Sequence, residues 1–100
     1  MADTDPATST ISATSLGGPG APDAQKCSEH AMNALGQAAG PEMRLASLSL
    51  DVTSQELGET PVAVMVSVDK RARSIVFASI EARSEGRLVY SAQGLFSRGG

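Results

Sequence analysis

The chain is poor in aromatic residues: it has no Trp, one Tyr (Tyr90) and two Phe (Phe77 and Phe96). Platforms on which nucleic-acid bases stack are therefore nearly absent. An excess of positive charge is lacking too. The net charge of −3 argues against a binder of phosphate backbones, so no nucleic-acid partner is expected. The one cysteine, Cys27, has no intrachain disulfide partner and fits a reducing, cytoplasmic compartment. One Cys and one His (His30) are too few for a protein metal site, so no metal is expected. No stretch approaches the ~18–20 consecutive apolar residues of a membrane span, and residues 1–22 lack the basic start and apolar run of a secretory signal. The serines lie outside the G-x-S-x-G setting of a nucleophile elbow. What remains is one small domain whose apolar residues are mostly Ala, Val, Leu and Ile. Its core is modest, and association with further copies is a common remedy for that.

Residues 1–22 are rich in Ala, Thr, Ser, Gly and Pro and read as an N-terminal tail. Within them Thr8 to Leu16 has strand propensity through Thr and Ile, so a marginal first strand is the alternative. Gly17-Gly18-Pro19-Gly20 breaks it. Residues 23–100 form the domain proper. Asp23 is placed to cap a helix that runs to Ala39 and ends at Gly40-Pro41. Ala24, Cys27, Ala31, Ala34, Leu35 and Ala38 fall within a ~100° arc of that helix. Gln25, Glu29, Asn33, Gly36 and Gln37 lie opposite, with Lys26 and His30 toward one edge. The inward positions are small, as suits a helix pressed closely against a sheet.

Four apolar segments follow. Ala46 to Val52 alternates apolar residues with Ser and Asp, a strand with one buried face. Gln55 to Pro61 is a loop. Val62, Val64, Val66 and Val68 line one face of a second strand. Ser74 to Ala82 is apolar on both faces, as a central strand buried on both sides would be. Ser84-Glu85-Gly86 is a hairpin turn with Gly available for positive φ. Arg87 to Phe96 points Leu88, Tyr90, Ala92 and Phe96 one way, and Gly94 suggests a bulge or bend. Together these predict one helix and a four-stranded antiparallel meander.

Few polar residues carry chemistry. Glu29 is the only carboxylate inside the helix, and Asn33 lies four residues later on the same face, able to orient a carbonyl or water. Both also read as an ordinary solvated helix face. His30 adjoins Glu29, but adjacent helix residues project ~100° apart and do not face each other. Lys70, Arg71 and Arg73 cluster at one hairpin and suit a phosphate or pyrophosphate, or simply a solvated turn. Gly17, Gly18 and Gly20 ahead of a helix could offer N–H groups to an anion, but the P-loop's Lys-Ser or Lys-Thr is missing. Cys27 falls on the apolar face as a buried, inert thiol.

Several words of the strand region resemble the hotdog superfamily, in particular the phenylacetate-type (PaaI-like) acyl-CoA thioesterases. They are Leu48-Ser49-Leu50-Asp51-Val52, Leu57-Gly58-Glu59, Lys70 to Ala78, and Gly86 to Phe96. The resemblance covers roughly residues 24–98. It implies an α+β fold in which an antiparallel sheet of four to five strands wraps one central helix, with protomers paired side by side as a homodimer, or further as a homotetramer. It also implies hydrolysis of a small or medium acyl-CoA thioester at the dimer interface. Glu29 would be the helix carboxylate, Asn33 its helper, and Lys70, Arg71 and Arg73 the contacts to coenzyme A phosphates. Coenzyme A would enter only as part of the substrate. The family's His-Gly-Gly-like turn before the helix has no clear counterpart, because the glycines lie several residues ahead of Asp23 and no His precedes them. Two other readings stand beside this one: a non-catalytic hotdog that binds acyl groups or serves in assembly, and an unrelated interaction module.

Overall fold

The computed structural model describes residues 7–99. Strand β1 (Ala7–Ile11) leads into one turn of 3-10 helix over Ala13–Leu16, and helix α1 spans Ala24–Ala39. Four long strands follow: β2 (Met43–Val52), β3 (Val62–Arg71), β4 (Ile75–Ser84) and β5 (Arg87–Arg98). All pairings are antiparallel, and the sheet order is β1-β3-β4-β5-β2.

This order corrects the expected meander. Only β3, β4 and β5 are neighbours in sequence and in space. β2 pairs with β5 at one edge of the sheet, so between Val52 and Val62 the chain passes β5 and β4 to reach β3. Along that crossing Leu57 is buried, and it exchanges backbone hydrogen bonds with Gly20 in both directions, at 2.7 and 2.8 Å. A crossing of this length is too long for a hairpin turn, and pairing β2 with β5 lets the sheet curl around the helix. The segment read as a tail, with a marginal strand over Thr8 to Leu16 as the alternative, holds β1, on the opposite edge against β3, and the 3-10 turn. The tail reading of residues 1–6 lies outside the described residues.

The ends of the elements obey local rules. Asp23 accepts a hydrogen bond from the Lys26 N–H at 3.0 Å and caps α1. Gly40 closes the helix at φ 110°, with its N–H on the Gly36 carbonyl. In the β4–β5 turn Glu85 and Gly86 both take positive φ, 53° and 80°, as a tight two-residue hairpin requires.

The core lies between α1 and the inner face of the sheet. Cys27, Ala31, Leu35 and Ala39 form the buried stripe of the helix. They meet Val62 and Val64 of β3, Val76, Ala78, Ile80 and Ala82 of β4, and Tyr90, Ala92 and Phe96 of β5. The expected inward face is corrected at its ends: Ala24 is exposed and Ala34 and Ala38 are half-buried, whereas Ala39 is fully inside. The helix closes on the sheet at a slight angle to the arc read from sequence.

Two strand expectations change as well. β4 is central in the sheet yet is covered on one side only. Ile75 and Phe77 on its outer face keep 38% and 41% of their surface exposed, because among the described residues the packing layer lies on the other face of the sheet. Gly94 makes no bulge: it pairs in unbroken register with Leu48 on one side and Ala78 on the other. Its role is close approach. A Cβ placed there would sit 2.9 Å from Phe96 Cε1 and 3.3 Å from Leu35 Cδ1. The register shifts fall elsewhere, at Leu45/Ser47, Val68/Lys70 and Ala82/Arg83. After the last of these, Val89 and Tyr90 are both fully buried although they are adjacent in a strand.

Candidate functional site

Opposite its buried stripe, α1 shows Gln25, Lys26, Glu29, Met32, Asn33 and Gln37 to solvent. Glu29 and Asn33 share this face as the helical spacing requires. Among the described residues no hydrogen bond or ion pair holds the Glu29 carboxylate. Further along the same face a groove of about 510 Å³ is lined by Met32, Asn33, Gly36, Gln37, Gly40 and Pro41. Gly36 contributes to it by having no side chain, and Met32 supplies an apolar wall that is 39% exposed. The structure thus places Asn33 in the groove and Glu29 one turn nearer the start of the helix.

The three cations do not act alike. Arg71, at the end of β3, turns back onto the helix. Its Nη1 donates to the Ala39 carbonyl at 3.1 Å and its Nη2 to the Ala38 carbonyl at 2.9 Å. The last carbonyls of a helix lack intrahelical partners and carry partial negative charge, and no basic residue lies in the last turn of α1 itself. Arg71 fills that need from another strand. Lys70 and Arg73 are exposed, and Arg73 accepts through its backbone carbonyl from the Arg98 guanidinium at 3.2 Å. All three cations lie near the C-terminal end of α1, with roughly 15 Å of helix rise between Glu29 and Ala39.

The glycines ahead of the helix are not an anion cradle. The N–H groups of Gly17, Gly18 and Gly20 donate to the carbonyls of Thr14, Ala13 and Leu57. Their work is folding the turn that leads into Asp23. Among the described residues no group of His, Cys, Asp and Glu is arranged to hold a metal ion.

One arrangement was not read from the sequence. His30 and Tyr90, sixty positions apart, meet across the core with Nδ1 2.6 Å from the phenol oxygen. The rings stand edge to face, 86° between planes and 6.0 Å between centroids. Tyr90 is wholly buried and its hydroxyl has to find a partner inside. A lone tyrosine on the inward face of a strand was the available signal, but only the fold identifies the partner. Burial lowers the His30 pKa and raises that of Tyr90, with Cys27 adding to the rise at Tyr90. Cys27 is buried as expected, and burial, then the Asp23 carboxylate, push its thiol up.

The two edges of the sheet differ. β1 is short, whereas β2 is a long edge strand that pairs on one side only, with Met43, Arg44 and Leu45 to Ser47 little buried. The outer face of the sheet carries a separate depression of about 330 Å³, lined by Thr8, Thr10, Met65, Glu81 and Arg83 among others, on the far side from the helix.

One helix wrapped by a five-stranded antiparallel sheet in the order β1-β3-β4-β5-β2 can be set against solved structures. E. coli PaaI, from the phenylacetic acid degradation operon, superposes with a TM-score of 0.74 at 18% identity, over 93% of this chain and 70% of that one. A hypothetical thioesterase from Streptococcus pneumoniae TIGR4, solved with coenzyme A, gives 0.74 at 15% identity, over 93% and 76%. The TT0310 protein of Thermus thermophilus gives 0.69 at 22% identity, over 91% and 80%. The chain has the hotdog fold. No family model matches the sequence, and no curated protein does. Hotdog architecture accounts for the small inward residues of α1, which let a curved sheet close on it. It also leaves the Glu29–Asn33 face of the helix outside the sheet's wrap. Among the described residues no helix is long and apolar enough to cross a membrane.

Proposed function

We propose that this hotdog domain hydrolyses small or medium acyl-CoA thioesters, with Glu29 as the carboxylate that activates water. The observation that carries the reading is the uncovered polar face of α1, where Glu29 stands one turn ahead of Asn33 and the groove. The similarity in fold to PaaI and to a coenzyme A-bound hypothetical thioesterase supports the substrate class. Glu29 takes a proton from water, and the resulting hydroxide adds to the thioester carbonyl. The C–S bond then breaks, and the thiolate leaves and is reprotonated. Asn33 donates to the substrate or positions the water. Lys70 and Arg73 contact the nucleotide phosphates at the other end of the helix, and Arg71 contributes only what its fork leaves free.

The open face of the helix needs a second wall, and a second copy of the chain supplies it. β2 is the edge suited to pairing: it is long, contains no proline, and has a strand of described residues beside it on one side only. Antiparallel pairing of two β2 strands across a two-fold axis would continue the sheet through the dimer. A non-catalytic acyl-binding role is the second reading. It is favoured by the absence of a described partner that would orient Glu29.

Thiol release from a panel of short and medium acyl-CoA esters tests the proposal. Wild type should turn over at least one ester, and Glu29→Gln should lose that activity at least ~100-fold. No turnover by wild type, or equal turnover by the variant, refutes the mechanism. Binding of acyl-CoA without turnover supports the second reading.

A further inference from the structure

The His30–Tyr90 pair gives α1 a second polar group whose protonation can be worked out from its surroundings. The Tyr90 hydroxyl is wholly buried, and its one described hydrogen bond is to His30 Nδ1. Were Nδ1 the donor, the phenol hydrogen would be left buried without an acceptor. The hydroxyl therefore donates to Nδ1, and in the neutral ring the hydrogen is on Nε2. Among the described residues Nε2 has no protein partner, and no buried side-chain nitrogen or oxygen lacks one. Nε2–H is consequently not fully buried.

Its position on the helix gives this donor a use. At ~100° per residue, Asn33 lies about 40° round the helix from Glu29, and His30 about 100°. The carboxylate and the imidazole flank one strip of surface, with the amide between them one turn on. A group lying on that strip meets an acceptor-only carboxylate on one side and an N–H donor on the other.

We propose that His30 Nε2–H donates a hydrogen bond to the acyl carbonyl oxygen of the substrate, and that Tyr90 is the positioning residue that fixes its tautomer. The inference rests on the acyl-thioester reading above. During attack by the water that Glu29 activates, negative charge develops on that oxygen, and a preorganised donor stabilises it most in the transition state. His30 thus takes on a task that the glycine turn ahead of the helix does not perform, because its N–H groups are engaged with backbone carbonyls. A neutral ring suits the task, and the lowering of the His30 pKa by burial agrees with it.

The chain has a single histidine, so its ring resonances need no assignment by mutation. Long-range 1H–15N spectra of the full-length protein at neutral pH should show the Nε2–H tautomer, and Tyr90→Phe should convert it to a mixture. The probe for contact is a ketone analogue of the best acyl-CoA ester, with a methylene in place of the thioester sulfur. It should move the Nε2 resonance, whereas coenzyme A without an acyl group should not. In turnover, His30→Ala should lower kcat ~100- to 1000-fold with little change in KM, and His30→Gln, which keeps an N–H donor, should recover part of the loss. An Nδ1–H tautomer overturns the proposal. So does an analogue that shifts other resonances while leaving His30 still; the thioesterase reading survives both results. No turnover together with no binding of the analogue removes the thioesterase reading, and this inference with it.

Discussion

Replacing Arg71 by Ala should destabilise the fold before it affects any ligand. The guanidinium makes two charge-assisted hydrogen bonds to the last turn of α1, to Ala38 at 2.9 Å and Ala39 at 3.1 Å. A cation at a helix C-terminus contributes ~0.3–1 kcal/mol through the helix dipole alone. The net hydrogen bonds, one to the exposed Ala38 carbonyl and one to the part-buried Ala39 carbonyl, add about 0.5–1 kcal/mol more. The total is about 1–2 kcal/mol. For a domain of this size that lowers the melting temperature by ~4–16 °C, since each kcal/mol corresponds to ~4–8 °C. Arg71→Lys keeps the charge without the fork and should lie between wild type and Ala. Arg73→Ala removes a side chain with no described hydrogen bond and should stay within about 0.5 kcal/mol of wild type. The assay is thermal unfolding followed by circular dichroism at one fixed protein concentration, because self-association would also shift the midpoint. A midpoint for Arg71→Ala within ~2 °C of wild type would refute the capping role. The result also decides how coenzyme A affinity is interpreted. A higher KM in a destabilised Arg71 variant carries no information on phosphate contact, whereas the same rise in Arg73→Ala or Lys70→Ala does.

Other outcomes are equally specific. Gly94→Val should cost about 1–3 kcal/mol by overpacking against Phe96 and Leu35, and Gly94→Ala less, because the nearest atoms are the ends of side chains; chemical denaturation measures both. The neutral His30 binds fewer protons folded than unfolded, so its contribution is complete above about pH 6.5 and is lost as pH falls through 6.5 toward the lowered native value. The urea midpoint should drop on that descent and flatten in His30→Gln. Cys27 and Tyr90 have raised values, which gives the opposite sign: stability is lost as pH rises above about 9 to 10. Ser47→Lys with Ser49→Lys places like charges along the β2 edge and should turn a dimer into a monomer by light scattering; an unchanged mass places the contact elsewhere.

Much of the architecture was legible in the residues. Asp23, the small inward residues and Gly40 delimit α1, and the apolar segments on either side of Glu85-Gly86 give the β4–β5 hairpin. These features follow from local chemistry: caps, turn dihedrals and which face of an element is apolar. The position of β2 was not legible, because alternation says that a strand has one buried face and nothing about its neighbour. The same holds for the outer face of β4. Ile75 and Phe77 look like core residues in sequence, and they stay exposed because no second layer of described residues covers that face.

Of the candidate site, sequence alone determined that Glu29 and Asn33 share a face, since helical spacing is a local property. Tertiary structure decided the rest. It turned Arg71 onto the helix end, engaged the glycine N–H groups in a turn, and brought His30 to Tyr90 across the core. Each of these joins groups from different elements. Their pairing depends on how the sheet curls around the helix, and no short stretch of residues encodes that distance.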